Sequence, residues 1–245
     1  MKFEKDHLCS ACEQAKIHRK HHKSKTAFAL NKPLYILHMD LCGPMRVQSI
    51  NGKRYVLVVV DDYSRYTWVF FLQSKDEASK VIISFIKKTH VNLQLQVQHV
   101  RTNNGTEFKN KTLAKFFDEF VITQQFSAVR TPQQNGVVER RNKTLVEAAR
   151  TMLTFANLPS FLLAEAIATA CFTQNRSIIH KRFDKTPYEL IIKRKPNIKF
   201  FRVFECRCYL LNDYKDVGKL KEKGDIGVFV GYLKESAAFR IYNKR

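Results

Sequence analysis

Acidic residues are scarce in this 245-residue sequence, because 22 aspartates and glutamates stand against 43 lysines and arginines, a formal charge of +21. Such an excess of one sign repels itself unless a polyanion neutralises it, and nucleic acid is a polyanion that proteins bind largely through charge. The basic residues cluster, with eight against three acids in residues 1–32 and nine against two in residues 176–202. We therefore expect a nucleic-acid partner that contacts these segments. The alternatives are a solvated basic surface, or attachment to a ribosome or a membrane surface.

The sequence also lacks a cysteine pattern typical of disulfide-bonded domains, and it lacks long apolar runs. The six cysteines are scattered along the chain: Cys9, Cys12, Cys42, Cys171, Cys206 and Cys208. Only the first two have the spacing of metal ligands, so the pattern excludes the disulfide framework of a small secreted domain and favours a reducing compartment. No apolar run reaches the length of a membrane span, and the opening residues MKFEKDHL are too charged for a signal peptide. We expect a protein of the nucleus or cytoplasm, with no membrane partner.

What the chain does contain is the apolar patterning of an α/β protein. Strands are predicted at 33–41, 53–62, 66–72, 97–102 and 121–126, and helices at 75–90, 110–120, 131–157 and 160–179. The run at 53–62 is β-branched without alternation, which is typical of a central strand covered on both faces. Strand-like runs at 201–211 and 226–233 predict a small β-rich tail. We expect a basic arm at 1–32, a core at 33–180, and a basic linker with a small β module at 181–245.

Three polar positions stand where such a fold places its chemistry. Asp40 lies near the end of the first predicted strand (HMDLCGPM), Asn103 opens the turn after the fourth (RTNNGTEF), and Glu139 lies on the long helix (PQQNGVVERRN). Between Asn103 and Glu139 lie 35 residues. The three positions can converge at the ends of central strands, although Asn103 carries an amide where a metal-dependent enzyme would want a carboxylate.

The sequence resembles the integrase of copia-type LTR retrotransposons. The stretches that carry the resemblance run in order over almost the whole chain: HMDLCGPM, RYVLVVVDDYSRYTWVFFL, RTNNGTEF, TPQQNGVVERRNKTLVEAARTML, TPYEL and FVGYL. The resemblance implies a ribonuclease-H-like mixed sheet flanked by helices. It also implies a polynucleotidyl transferase that uses an Asp, Asp, Glu triad and two Mg²⁺ or Mn²⁺ ions to join element DNA ends to target DNA, and that works as a multimer.

The resemblance also assigns roles to individual residues. Asp40 matches the first acid of the triad and Glu139 the third, and both would be metal ligands. Lys143 lies one turn after Glu139 on the same face and would reach DNA phosphate. Arg140 and Arg150, on the same helix, are the other expected DNA contacts.

The chain departs from the family at the second acid, where Asn103 replaces an aspartate. Two divalent ions repel each other strongly, so the site needs anionic oxygen ligands to hold them. An amide oxygen can coordinate Mg²⁺ but lacks the formal charge of a carboxylate, so we expect Asn103 to be a degenerate ligand. The second ion should therefore bind poorly, and catalysis should be severely reduced or absent. Rescue by Glu107, Asp61 or Asp62 is the alternative, but metal sites need accurate ligand placement and those positions suit structural or substrate-contacting roles.

Smaller departures accumulate elsewhere. Cys9 and Cys12 resemble the second half of the family's His-His-Cys-Cys zinc knuckle, whose histidines lie further upstream, so we expect a loose basic arm and no bound Zn²⁺. Glu205 stands where the family usually has glycine, and Leu163 where it usually has tryptophan; we interpret both as changes of packing. The hypothesis is a truncated, inactive integrase from a degraded element or from one whose coding frame has been cut. The alternatives are a co-opted, non-catalytic DNA-binding or assembly protein, and a nuclease with relaxed metal needs.

Overall fold

The structure, a computed structural model, describes residues 32–127, 135–211, 224–233, 236 and 238–243. Cys9 and Cys12 lie outside these residues, so the interpretation of a zinc-knuckle remnant stays a prediction. Within the described ranges, no helix has both the length and the apolar character needed to cross a membrane.

A five-stranded mixed sheet forms the centre of the fold. Its strands are β1 (Ile36–Cys42), β2 (Tyr55–Asp61), β3 (Thr67–Leu72), β4 (His99–Thr102) and β5 (Thr123–Phe126). They lie in the order β3-β2-β1-β4-β5. β1, β2 and β3 pair antiparallel, whereas β4 pairs parallel with both β1 and β5. The predicted α/β class with a ribonuclease-H-like sheet is confirmed.

Helices cover both faces of the sheet. They are α1 (Glu77–Leu93), α2 (Lys111–Glu119), α3 (Gly136–Phe155), α4 (Leu163–Ser177) and the short α5 (Pro187–Ile192). Leu57 and Val59 of β2 pack with α1 and α2, whereas Val56, Val58 and Val60 pack with α3 and α4. The continuous β-branched run of β2 thus reflects a strand buried on both faces, as its sequence predicts.

Several boundaries differ from the sequence predictions for local reasons. β1 starts at Ile36 because Leu34 adopts a left-handed conformation (φ 61°) and donates its N–H to Asp61 Oδ1 at 2.9 Å. The predicted helix at 160–179 is a 3-10 turn, Ser160–Leu162, followed by α4. Helix α5 was missed, although Thr186 and Glu189 form a capping box around Pro187.

The C-terminal residues form a second, three-stranded antiparallel sheet of β6 (Arg207–Leu211), β7 (Gly224–Tyr232) and β8 (Phe239–Asn243). It packs against α4. The Thr169 hydroxyl donates to the Val230 carbonyl at 2.9 Å, and the rings of Phe172 and Tyr232 stack with centroids 3.9 Å apart. The predicted small β module is therefore present, and it shares apolar contacts with the core. The division at residues 180 and 181 stays a prediction.

Glu205 has a backbone explanation rather than one of packing. The residue adopts a left-handed conformation with φ 73°, next to a turn in which Cys206 N–H donates to the Val203 carbonyl at 3.0 Å. Glycine takes this conformation without strain, whereas a residue with a Cβ does not. The turn also explains why β6 starts at Arg207 rather than at the predicted residue 201.

Candidate functional site

The candidate site lies at one edge of the sheet, where β1 and β4 run side by side in parallel. Asp40 lies near the end of β1, and Asn103 directly follows β4. Because the carboxyl ends of parallel strands meet at the same edge, the two side chains touch. Asn103 Nδ2 donates to Asp40 Oδ1 at 3.0 Å. The two residues predicted from separate motifs therefore share one hydrogen bond.

The orientation of the Asn103 amide follows from its other contact. Asn103 Oδ1 accepts the N–H of Gly105 at 2.9 Å, so the NH₂ end faces Asp40. An NH₂ group is only a donor and cannot coordinate a cation. At this position the side chain therefore presents a hydrogen-bond donor where the family's aspartate would present an oxygen.

Asp40 receives a second amide from the long helix. Asn142 is 8% exposed, and its Nδ2 donates to Asp40 Oδ2 at 2.6 Å. Both carboxylate oxygens of Asp40 thus accept a hydrogen bond from an asparagine. Sequence reasoning missed Asn142, although it lies three residues after Glu139 and hence on nearly the same face of α3.

The electrostatics of Asp40 place two more carboxylates near it. Burial raises the pKa of Asp40, and the hydrogen bond from Asn142 opposes that rise. The charges of Glu139 and Glu107 add to the rise in pKa. Glu139 is exposed in the first turn of α3. Glu107 is folded back over Gly105, where an added Cβ would lie 2.6 Å from its carboxyl carbon.

The residues present do not fit a two-ion metal cluster. In the part of the chain that the structure describes, no group of three or more His, Cys, Asp or Glu side chains is arranged to hold a metal ion. Asp40 and Glu139 supply two carboxylates, and the family's second position, Asn103, offers an NH₂ to Asp40 instead of a charged oxygen. Two divalent ions need more anionic oxygen than this arrangement offers.

The neighbouring acids of the DDYSR stretch, Asp61 and Asp62, accept hydrogen bonds from residues in and beside the turn. Asp61 is fully buried, and its Oδ2 accepts hydrogen bonds from the Ser64 backbone and hydroxyl at 2.9 and 2.6 Å. Asp62 Oδ1 accepts from His38 Nε2 at 3.0 Å and from Arg65 at 3.1 Å. Burial raises the pKa of Asp62, but the His38 hydrogen bond and the Arg65 charge outweigh it, so the pKa is lowered overall. These contacts make the two acids part of the turn.

The three predicted DNA contacts lie along α3. Lys143 forms an ion pair with Glu147, at 3.6 Å from Oε1 to Nζ. Arg140 and Arg150 are exposed. Burial raises the pKa of the Cys42 thiol at the end of β1, and the charge of Arg150 opposes that rise. Their contact with DNA stays a prediction.

A second residue of α3 that sequence reasoning missed is Arg141. Its guanidinium donates to Gln174 Oε1 at 2.9 Å and to the Arg65 carbonyl at 3.2 Å. Burial lowers its pKa. Arg141 thereby fastens α3 to α4 and to the turn that follows β2, which holds the helix of Glu139 in place beside the sheet.

Two segments of the chain match known protein families. Residues 31–132 match the model of the integrase core domain, and residues 206–245 match the model of the retroviral polymerase SH3-like domain. The retrovirus-related Pol polyprotein from transposon TNT 1-94 of Nicotiana tabacum is 30% identical over 235 residues, which are 96% of this chain and 18% of that protein. The retrovirus-related Pol polyprotein from transposon RE2 of Arabidopsis thaliana is 27% identical over 231 residues, 94% of this chain and 16% of that protein. This chain therefore spans less than a fifth of the length of both relatives.

The fold also has a solved counterpart. The cryoEM structure of the simian T-cell lymphotropic virus intasome in complex with PP2A regulatory subunit B56 gamma aligns with a TM-score of 0.55 and 17% identity, covering 97% of this chain and 85% of that chain. At this identity the likeness concerns the fold alone. Fold and matched domains together define the class of protein, an integrase catalytic core with an SH3-like domain after it. These matches identify the chain as the integrase region of a retrotransposon or retroviral Pol polyprotein.

Proposed function

We propose that this integrase region binds DNA but has lost, or nearly lost, metal-dependent polynucleotidyl transfer. The observation that carries the proposal is the hydrogen bond from Asn103 Nδ2 to Asp40 Oδ1, 3.0 Å long. An aspartate at position 103 would place a second carboxylate against Asp40. Two facing carboxylates repel each other unless a cation binds between them, whereas the amide of Asn103 and the carboxylate of Asp40 attract each other without a cation.

Aspartate and asparagine at position 103 differ greatly in their electrostatic energy of interaction with Asp40. Two unit charges at 3 Å repel by about 5 kcal/mol at an effective dielectric constant of about 20. In an intact triad this repulsion favours the binding of divalent ions, which neutralise it. With Asn103 the same position contributes an attraction, because an amide donates to an ionised acceptor. Asp40, already hydrogen-bonded by Asn142, therefore has both oxygens occupied by donors.

DNA binding depends on features that the change at position 103 leaves in place. The formal charge is +21, and Arg140, Lys143 and Arg150 stand on the helix that carries Glu139. The basic segment 176–202 adds further positive charge. Contacts of this kind are made mainly to phosphates, so the binding should have little sequence preference and should weaken steeply with salt. The partners proposed here are the element's DNA ends and target DNA, bound by a multimer.

Strand transfer with labelled DNA ends tests the proposal. The wild-type chain, Asn103→Asp, and the double variant Asn103→Asp/Asp40→Asn are compared with Mg²⁺ and with Mn²⁺, and DNA binding is followed by fluorescence polarisation. We expect all three proteins to bind DNA and only Asn103→Asp to join ends. Joining by the wild-type chain at a rate equal to that of Asn103→Asp would refute the proposal.

The same hydrogen bonds favour a second candidate function, a non-catalytic DNA-binding or assembly protein. A site whose central carboxylate, Asp40, accepts hydrogen bonds from two amides is stable as a scaffold without a metal ion. If Asn103→Asp binds DNA and multimerises but joins nothing with either metal, the core has lost more than one ligand, and the scaffold function is supported. Restored joining would favour an integrase inactivated by a single substitution.

A further inference from the structure

A groove lies between α1 and α2, on the face of the sheet opposite to α3. Its volume is about 430 Å³, and it is open to solvent. Ile83 and the largely buried ring of Phe116 form an apolar floor, and Lys87, Lys111 and Lys115 surround it. We call this the lysine groove. Since α1 and α2 pack in one apolar cluster and α3 in the other, the sheet separates this groove from the candidate active site.

The lysines of the groove lack partners of opposite charge. Among the residues that the structure describes, no ion pair joins Lys87, Lys111 or Lys115 to a carboxylate. Glu119 is the single acid in the lining. Lys87 Nζ lies 5.7 Å from the centroid of the Phe116 ring, so the ammonium group is held over the floor.

The position of α2 strengthens the positive potential. Lys111 is the first residue of this nine-residue helix, whose first turn contains no acidic side chain. The N-terminus of a helix carries a partial positive charge, so a lysine there is unfavourable unless an anion lies nearby. An incoming carboxylate would relieve both the repulsion among the three lysines and the conflict with the helix dipole.

We propose that the lysine groove binds an acidic peptide segment of a partner protein, with an apolar side chain inserted between the lysines. Carboxylates match the rim, and an apolar side chain matches Ile83 and Phe116. A second copy of this chain has 22 acidic against 43 basic residues, so it is a poor source of anionic groups for a rim of lysines, and we assign multimerisation to other surfaces. Duplex DNA offers phosphates to the rim but no apolar group to the floor, and the proposed DNA contacts lie on the other side of the sheet.

Fluorescence polarisation with a labelled probe peptide, DEDLFDED, tests the proposal, with DEDAADED as the probe that lacks the apolar pair. Lys87→Gln/Lys111→Gln/Lys115→Gln removes the charges of the groove. The matched control, Lys75→Gln/Lys80→Gln/Lys109→Gln, removes the same charge from exposed lysines that line neither the groove nor the proposed DNA-binding segments. Ile83→Ser changes the floor alone, and melting curves establish that each variant folds.

We expect the groove variant to lose about tenfold in affinity for DEDLFDED at about 0.1 M salt, and the control less than about twofold. DEDLFDED should bind wild-type protein more tightly than DEDAADED, and Ile83→Ser should remove that preference. Equal binding of the two peptides, or equal losses in both lysine variants, would show non-specific charge attraction and overturn the proposal. The proposal would also be overturned if the groove substitutions weakened the binding of duplex DNA as much as that of the peptide, while the control substitutions did not weaken DNA binding.

Discussion

Asn103→Asp should destabilise the protein in the absence of divalent ions and make its stability depend on Mg²⁺. The variant loses a hydrogen bond to an ionised acceptor, which contributes about 1.5–3 kcal/mol. It also places two carboxylates where Asn103 and Asp40 are now 3.0 Å apart. Proton uptake and small movements limit the cost, because one of two crowded carboxyls has its pKa raised. We estimate a net loss of about 2–4 kcal/mol in the free energy of unfolding, the sum of these opposing effects.

Thermal unfolding monitored by circular dichroism measures this effect. In EDTA the melting temperature of the variant should fall by roughly 5–15 °C, since each kcal/mol shifts it by about 2–4 °C in a chain of this size. Adding Mg²⁺ should raise it again, by about 1.4 kcal/mol of stability when the ion exceeds its Kd tenfold. The wild-type protein should respond little to Mg²⁺, because its site is already satisfied by amides.

Two control variants separate charge from the lost contact. Asn104→Asp makes the same charge change one residue away, at an exposed side chain that donates to the Ser127 carbonyl. It should show a small loss and no rescue by Mg²⁺. Asn103→Ala should be destabilised without rescue, because it removes the hydrogen bonds and adds no ligand. The electrostatic reasoning is wrong if Asn103→Asp has the same melting temperature as the wild-type protein in EDTA. It is also wrong if Mg²⁺ raises the melting temperatures of the two proteins equally.

Three further predictions concern other parts of the molecule. Glu205→Gly should raise the free energy of unfolding by about 1 kcal/mol in urea titrations, because glycine accepts φ 73° without strain; an unchanged or lower stability would contradict that explanation. The pKa of Asp62 is lowered in the folded state, so its contribution is present above the ordinary value of 3.8 and is lost as pH falls through the lowered value. Asp62→Asn should therefore flatten the fall in stability below about pH 4, and a slope like that of wild type would exclude this role. DNA affinity should fall as a straight line in log salt with a slope of about −0.9 for each phosphate neutralised, and a flat line would rule out phosphate contacts as the source of binding.

The sequence predicted the main architecture because the apolar periodicities are strong. The unbroken β-branched run of β2 predicts a strand covered on both faces, and the structure buries Val56–Val60. The contact between Asp40 and Asn103 follows from two motifs at strand ends, once β1 and β4 are adjacent and parallel. The direction of the Asn103 amide does not follow, because it depends on the N–H of Gly105, which only the folded turn brings within 2.9 Å.

Polar residues of α3 that pack against neighbouring elements were the harder part to predict. Asn142 and Arg141 look like ordinary polar residues of a helix surface, and neither has a local pattern that marks it as buried. Their positions depend on how α3 lies against β1 and α4, which is a tertiary relation. Helix α5 is a different case, since Thr186, Pro187 and Glu189 carry a local start signal that was available in the sequence.

The packing of β7 on α4 determines which shorter fragments of this chain would keep their apolar surface covered. Val228 and Val230 are 7% and 3% exposed because they complete the apolar cluster around α3 and α4. A fragment that stops near residue 200 would expose that surface to water, together with the ring of Phe172 that Tyr232 now covers. Such a fragment should aggregate when produced alone, and gel filtration should show it leaving the column in the void volume while the longer chain enters the resin.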